Sequence, residues 1–187
     1  MLKWHKTLSV TFVPSCFQAK AVNRRPKRLQ KRFNRKPKDT ALERAVRLLA
    51  RREHSYHELV QKLTAKGFYA TDITSALDSL VEKGWQCDLR FTESWIRHRI
   101  ESGFGPRKIR QELSQKGVNH STIELGFENI APKWQKLAQQ VWQKKYNCLP
   151  LDWNEKAKQI RFLMYRGFSN EQIEAMYQLE QQKQDDL

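Results

Sequence analysis

A repeat of fifty residues constrains this chain more than any other feature of its sequence. Glycines stand at Gly67, Gly117 and Gly167, and each has a basic residue directly before it and a leucine four positions earlier. An isoleucine follows each of them by six positions. Spacing of this kind is typical of a tandem array, in which each unit buries its apolar face against its neighbours. Such arrays usually present surfaces rather than enclosed catalytic pockets.

The apolar spacing inside each unit predicts short helices and does not require strands. In the first unit Leu42, Ala45, Val46 and Leu49 recur every three or four positions, which is the period of a helix with one buried face. We therefore predict an all-α fold of three tandem three-helix repeats, similar to helix-turn-helix units, in an elongated array with a basic N-terminal extension. The predicted segments are the extension (1–39), the repeats (40–88, 89–131 and 132–180) and a polar tail (181–187).

Local signals indicate where the helices begin and which large side chains are buried. Capping-box patterns, in which Ser or Thr precedes Glu or Gln by three residues, begin at four positions: Thr40, Ser55, Ser121 and Ser169. Thr71 is expected to cap the third helix of the first repeat. Pro106 suits a first helical position, because the N–H that proline lacks has no partner there. Five recurring tryptophans are expected in the core: Trp85, Trp95, Trp134, Trp142 and Trp153.

Positive charge is concentrated at the N-terminus. Residues 1–40 carry twelve of the 35 Lys and Arg side chains and a single acid, Asp39, in a chain of formal net charge +15. Self-repulsion and low apolar content predict that the extension is disordered when free. It is either a phosphate-binding arm or a solubilising tail. Its candidate binding residues are Arg24, Arg25, Lys27, Arg28, Lys31, Arg32, Arg35 and Lys36.

The second and third helices of the predicted repeats carry opposite charge. The third helices hold acids such as Glu124 and Glu171, with few bases among them. Basic residues collect on the second helices and on the first helix of the middle repeat. They form either a contact surface or the solvated faces of amphipathic helices. The candidate binding residues are Arg97, Arg99, Arg107, Lys108, Arg110, Lys116, Lys158, Arg161 and Arg166.

The sequence gives little support to catalysis, a cofactor or a metal. His54 and His57 are three residues apart, but no further ligand completes a metal set beside them. Three scattered cysteines (Cys16, Cys87 and Cys148) indicate a reducing compartment. No apolar run approaches the roughly 18 residues that a membrane span needs. We therefore predict a cytoplasmic monomer that is not an enzyme, requires no cofactor or metal and does not contact a membrane.

The middle repeat resembles a known signature. Residues 88–96 read DLRFTESWI, and residues 103–117 read GFGPRKIRQELSQKG. Together these segments resemble the central signature of the RecX family of bacterial regulatory proteins. AVRLLA at 45–50 and RFLMYRGF at 161–168 resemble the first and last repeats of that family. The resemblance covers about residues 40–180.

The resemblance to RecX implies a regulator of RecA, the recombinase that polymerises on single-stranded DNA with ATP. Members of the family lie along the groove of the RecA–DNA filament. They inhibit filament extension, ATP hydrolysis, strand exchange and LexA co-cleavage, and so modulate recombinational repair and the SOS response. The implied partners are RecA, its DNA filament and, more weakly and with salt dependence, single- and double-stranded DNA.

Two other functions fit parts of the sequence. A helix-turn-helix transcription regulator would insert its third helix into the DNA major groove. The acidic character of these helices disfavours that function, because phosphate contacts rest largely on Lys and Arg. A nonspecific nucleic-acid-binding repeat protein, independent of RecA, is the other alternative.

Overall fold

The structure is a computed structural model that describes residues 39–146 and 148–185. All regular secondary structure within these ranges is α-helical, which confirms the predicted fold class. The helices fall into three consecutive groups of three along the chain. They are α1 (Ala41–Leu49), α2 (Tyr56–Thr64), α3 (Ala70–Glu82), α4 (Asp88–Glu101), α5 (Pro106–Gln115), α6 (His120–Ile130), α7 (Trp134–Lys145), α8 (Trp153–Arg166) and α9 (Asn170–Asp185).

Each group of three helices encloses its own apolar core. The repeated leucines, Leu63, Leu113 and Leu163, are fully buried, and the repeated isoleucines are nearly so. Burying one such side chain contributes about 1.5–3 kcal/mol. The leucines and isoleucines that recur every fifty residues are therefore core residues of the three repeats. Within each group the first and third helices pack most extensively against each other, which leaves the second helix available for contacts between repeats.

The repeated glycines end the second helices in the left-handed conformation. Gly67, Gly117 and Gly167 have φ of +86°, +76° and +96°. The N–H of the next residue turns back to the carbonyl of the repeated leucine, at 3.4 Å from Phe68, 3.2 Å from Val118 and 3.1 Å from Phe168. This bond is the one that closes a Schellman motif. It explains why leucine, glycine and an apolar residue keep the same spacing in all three repeats.

Two of these glycines also join neighbouring repeats. A Cβ atom added to Gly117 would lie 2.5 Å from Cβ of His57, near the start of α2. One added to Gly167 would lie 2.5 Å from Cβ of Lys108, near the start of α5. Gly67 has no atom within 4 Å of an added Cβ. Only a residue without a side chain permits the close approach seen at the two junctions.

Hydrogen bonds at equivalent positions connect the second helices head to tail. The Gly105 N–H donates to the carbonyl of Arg166 at 2.8 Å, and the Arg107 N–H donates to the carbonyl of Gly167 at 3.0 Å. At the other junction the Ser55 hydroxyl donates to the carbonyl of Lys116 at 2.7 Å. The C-terminal carbonyls of α8 thus meet the N-terminus of α5, and those of α5 meet the N-terminus of α2. Helix ends of opposite partial charge satisfy each other's unpaired groups in this arrangement.

The predicted helix starts are correct at Thr40, Ser55 and Ser169. Thr40 and Glu43 form the full capping box, and Ser169 and Gln172 cap each other's backbone N–H groups. The predicted starts at Thr71 and Ser121 are wrong, since α3 follows Tyr69 and α6 is capped by Asn119. Ser55 caps α2, but the carboxylate of Glu58 binds other residues.

The burial of the tryptophans follows the repeat cores only in part. Trp142 is fully buried, and Trp95 and Trp134 are half-buried beside the middle core. Trp85 and Trp153 are mostly exposed, so their predicted core positions are wrong. α9 continues to Asp185, into the segment predicted as a polar tail. The exact segment boundaries given above stay predictions.

Replacing Gly167 with alanine should destabilise the protein more than replacing Gly67. Both changes place a Cβ in the left-handed region, at a cost of about 1–2 kcal/mol. Gly167→Ala also forces its Cβ against Lys108, and overpacking of this kind adds about 1–3 kcal/mol. Urea denaturation followed by circular dichroism measures both variants. Equal losses of unfolding free energy in the two variants would show that the close contact at this junction does not contribute to stability.

Candidate binding surface

The nine basic candidates in the repeats separate into paired and exposed side chains. Arg99, Arg110 and Lys116 bind carboxylates at short distance. Arg97 makes a longer pair with Glu93, at 3.3 Å within α4. Five of the nine form no ion pair within the described residues: Arg107, Lys108, Lys158, Arg161 and Arg166. The arm candidates from Arg24 to Lys36 lie outside the described residues.

Arg99 is held by a carboxylate and by two aromatic rings. Its Nε and Nη2 atoms donate to the oxygens of Glu112 at 2.6 and 3.0 Å. The guanidinium lies 4.8 Å from the ring centre of Trp95 and 4.9 Å from that of Phe104. The Trp95 indole also donates to Glu112, at 3.2 Å. With all these partners inside the middle repeat, Arg99 has little capacity left to bind another molecule.

Arg110 pairs the basic second helix with the acidic third helix. Its Nε and Nη2 atoms donate to the Glu124 carboxylate at 2.8 and 2.9 Å. These hydrogen bonds lower the pKa of Glu124, and the same bonds raise the pKa of Arg110. The guanidinium also lies 4.3 Å from the ring centre of Phe127. Part of the charge separation seen in the sequence is therefore neutralised within the repeat.

Glu58 collects three basic groups at the junction between the first two repeats. Lys116 Nζ from α5 lies 2.9 Å from its carboxylate, Arg52 lies 3.1 Å away and Nδ1 of the buried His54 lies 2.7 Å away. Burial alone would raise the pKa of Glu58, but hydrogen bonds from Arg52, Lys116 and His54 prevail and lower it to about 2. Burial lowers the pKa of His54, despite its bond to Glu58. Lys116 therefore acts as a connection between repeats.

Arg166 connects the second and third repeats. Its Nη1 donates to the Ser102 carbonyl at 3.0 Å. The guanidinium lies 5.1 Å from the ring centre of Phe104 and 5.4 Å from that of Phe162, and Lys145 Nζ lies 3.8 Å from the Phe162 ring. With Lys116 over Trp95 at 4.2 Å, these contacts alternate cations and rings along the middle repeat and across its junction with the third repeat. We call this set the cation–aromatic ladder: Lys116, Trp95, Arg99, Phe104, Arg166, Phe162 and Lys145.

The outward side of α8 is open to solvent. Lys158 and Arg161 are exposed there, and Arg161 donates only to the Ala157 carbonyl of its own helix, at 3.3 Å. Arg107, at the start of α5 beyond Gly167, is also exposed. Tyr165 lies on the same side of α8 and is 79% exposed. Sequence reasoning missed this tyrosine. The signal that could have found it is a difference between the repeats, because the equivalent positions, Ala65 and Gln115, are not aromatic.

The described residues bring together no group of three or more potential metal ligands. Among these residues, no helix is both long and apolar enough to span a membrane. The arrangement is that of a surface: exposed cations and the exposed Tyr165 side chain lie on a helix whose C-terminal end is hydrogen-bonded to the middle repeat. The fold is that of a helical-repeat protein, and this surface is its candidate binding site.

Each three-helix repeat matches a domain of RecX. Residues 41–80, 88–125 and 134–176 match its first, second and third three-helix domains. The regulatory protein RecX of Vibrio vulnificus is 47% identical over 137 residues, covering 73% of this chain and 87% of that protein. RecX of Legionella pneumophila is 41% identical over 138 residues, covering 73% and 92%. The chain belongs to the RecX family.

Solved structures support the same fold. A crystal structure of regulatory protein RecX aligns with a TM-score of 0.66 at 24% identity, covering 74% of this chain and 71% of that one. RecX from Lactobacillus salivarius aligns with a TM-score of 0.64 at 20% identity, covering 74% and 92%. At these identities the alignments are evidence for the fold alone.

Glu58→Gln should make stability less dependent on acid pH. Because the pKa of Glu58 is about 2 in the folded protein against an ordinary 4.5, its ionised form stabilises the fold fully above about pH 4.5. That stabilisation is lost as the pH falls towards 2. We expect Glu58→Gln to lower the free energy of unfolding by about 1–2 kcal/mol at pH 7 and by much less near pH 2.

Denaturant midpoints between pH 2 and 7 measure this effect. Glu101→Gln is the matched control, since Glu101 is exposed at the end of α4 and its replacement should cost less than about 0.5 kcal/mol. Parallel pH profiles for the wild type and Glu58→Gln would contradict the assigned role of Glu58.

Proposed function

We propose that this protein binds RecA and the RecA filament on single-stranded DNA, and inhibits RecA. The inhibited activities are filament extension, ATP hydrolysis, strand exchange and LexA co-cleavage, so that the protein modulates recombinational repair and the SOS response. The proposal places it in the cytoplasm as a regulator without catalytic activity of its own. The observation that carries the proposal is the match of all three repeats to the three RecX domains.

The geometry of the repeats supports binding to a polymer. Junctions at Gly117 and Gly167 join three similar units through their second helices. A joined array can touch several protomers of a helical filament, and weak contacts then reinforce one another through high effective concentration. In our proposal the exposed acids of the third helices, such as Glu128 and Glu174, face basic RecA surface. The second helices and the N-terminal arm face DNA or acidic patches on RecA.

The exposed cations also favour the alternative of a nucleic-acid-binding protein that acts without RecA. Arg107, Lys158 and Arg161 can contact phosphates of any nucleic acid. A transcription regulator is less compatible with the structure, because α3 and α6, the third helices of two repeats, contain no Lys or Arg. The two remaining functions differ in their dependence on RecA.

Titration of RecA ATP hydrolysis on single-stranded DNA tests the proposed function directly. We expect inhibition at well below one copy of this protein per RecA protomer, because control of a filament does not require every protomer to be occupied. An unchanged ATPase rate at equimolar protein would refute the proposal. Inhibition that appears only when the protein covers all the DNA would favour the alternative.

Reversing charge at Arg107, Lys158 and Arg161 together should weaken filament binding by at least tenfold, because a cationic surface becomes anionic. Arg110 is left unchanged, since its pair with Glu124 stabilises the repeat. A control with the same charge change reverses three exposed bases that lie outside the second helices: Arg51, Lys83 and Lys136. Co-sedimentation with RecA filaments measures both variants, and equal binding would show that the α5–α8 surface is not the contact.

Deleting residues 1–38 should weaken binding to RecA filaments and reduce its salt dependence, while RecA-dependent binding persists. The reason is that the arm supplies phosphate contacts, whereas the repeats supply the contacts to RecA. A pull-down at physiological salt compares the truncated and full chains. Complete loss of RecA-dependent binding would favour the nonspecific alternative.

A further inference from the structure

Three exposed side chains form a compact group on the outward side of α8. At 3.6 residues per turn, Lys158, Arg161 and Tyr165 lie within about 60° of one another around the helix axis. They extend over about 10 Å along it, because each residue rises 1.5 Å. The opposite side of α8 carries the buried Gln159 and Leu163. The group therefore points away from the core of the third repeat, and we call it the α8 outer face.

No carboxylate competes for these cations on the helix itself. From Lys156 to Arg166 the sequence contains no Asp or Glu. The two acids at the start of α8 are occupied by the backbone. Asp152 accepts the N–H of Glu155 at 2.6 Å, and Glu155 accepts the N–H of Leu151 at 3.0 Å. Lys158 and Arg161 are thus available to an anionic partner.

The other two repeats lack this combination at equivalent positions. Fifty residues earlier the three positions hold Lys108, Gln111 and Gln115. A hundred residues earlier they hold Glu58, Gln61 and Ala65, and Glu58 is occupied at a junction. Only the third repeat combines two cations with an aromatic ring, so this feature does not follow from the repeated fold. A tyrosine that is 79% exposed also contributes little to packing.

We propose that the α8 outer face binds single-stranded DNA, with Tyr165 stacked on an unpaired base and with Lys158 and Arg161 on the flanking phosphates. This inference rests on the proposed function. It adds the form of DNA that is bound, the single strand, and the side chains that bind it. Sequence-independent binding of single strands combines a basic track with aromatic side chains on which bases stack. Duplex DNA offers only phosphates to this face, because its bases are already stacked with one another.

Fluorescence anisotropy without RecA tests the inference on the full chain. The probes are labelled (dT)20 and an abasic oligonucleotide of the same length, which keeps the phosphates but has no bases to stack. We expect the wild type to bind (dT)20 about tenfold more tightly than the abasic strand. Tyr165→Ala should remove this preference and leave the salt dependence unchanged. Lys158→Gln/Arg161→Gln should weaken binding to both strands and lower the salt slope by about 1.4, since each phosphate contact with a single strand contributes about 0.7.

Tyr69→Ala is the matched control, since Tyr69 is 74% exposed at the start of α3. It should bind both strands as the wild type does. The inference is overturned if the wild type does not prefer (dT)20, or if Tyr165→Ala keeps that preference. RecA inhibition by the wild type, measured separately, decides the proposed function. A protein that inhibits RecA but shows no base preference would refute only the stacking site.

Discussion

Close backbone contact at two glycines is the constraint on which the arrangement of the repeats depends. At Gly117 and Gly167 the end of one second helix meets the beginning of another so closely that a Cβ atom would collide with His57 or Lys108. The carbonyls at these helix ends accept hydrogen bonds from Ser55, Gly105 and Arg107. Three units that each bury a small core are joined in this way, and neighbour contacts are a main source of stability in a repeat protein.

Charged side chains reinforce the same junctions. The basic residues that do so have a structural role and differ from those proposed to bind a partner. Lys116 reaches Glu58 in the first repeat, and Arg166 reaches the Ser102 carbonyl and the Phe104 ring in the second. The cation–aromatic ladder holds its cations against rings and partners in the protein. Basic residues on the second helices are therefore not equivalent, although the sequence shows them as one group. Those without a partner are concentrated near α8, where the proposed contact with DNA lies.

Local sequence predicted features that depend on neighbours along the chain. The Thr40–Glu43 box, the Pro106 start and the cores around Leu63, Leu113 and Leu163 were found from spacing alone. Two predicted helix starts lay two residues too late. Asn119 caps α6 in place of Ser121, because Asn and Ser cap helices equally well, and α3 follows Tyr69, whose side chain forms no cap. Trp85 and Trp153 were misplaced because apolar periodicity does not tell which face of an array meets a neighbour.

By itself, the sequence determined the helical class, the three-fold repeat and the family, since these follow from spacing over short distances and from specific residue patterns. Only the tertiary structure decided that two of three equivalent glycines form junctions, that Arg99, Arg110 and Lys116 are bound within the protein, and that Tyr165 faces solvent. The physical reason is that periodicity fixes which side of a helix is apolar. Which groups meet across repeats depends on how the helices pack, and residues fifty positions apart then become neighbours.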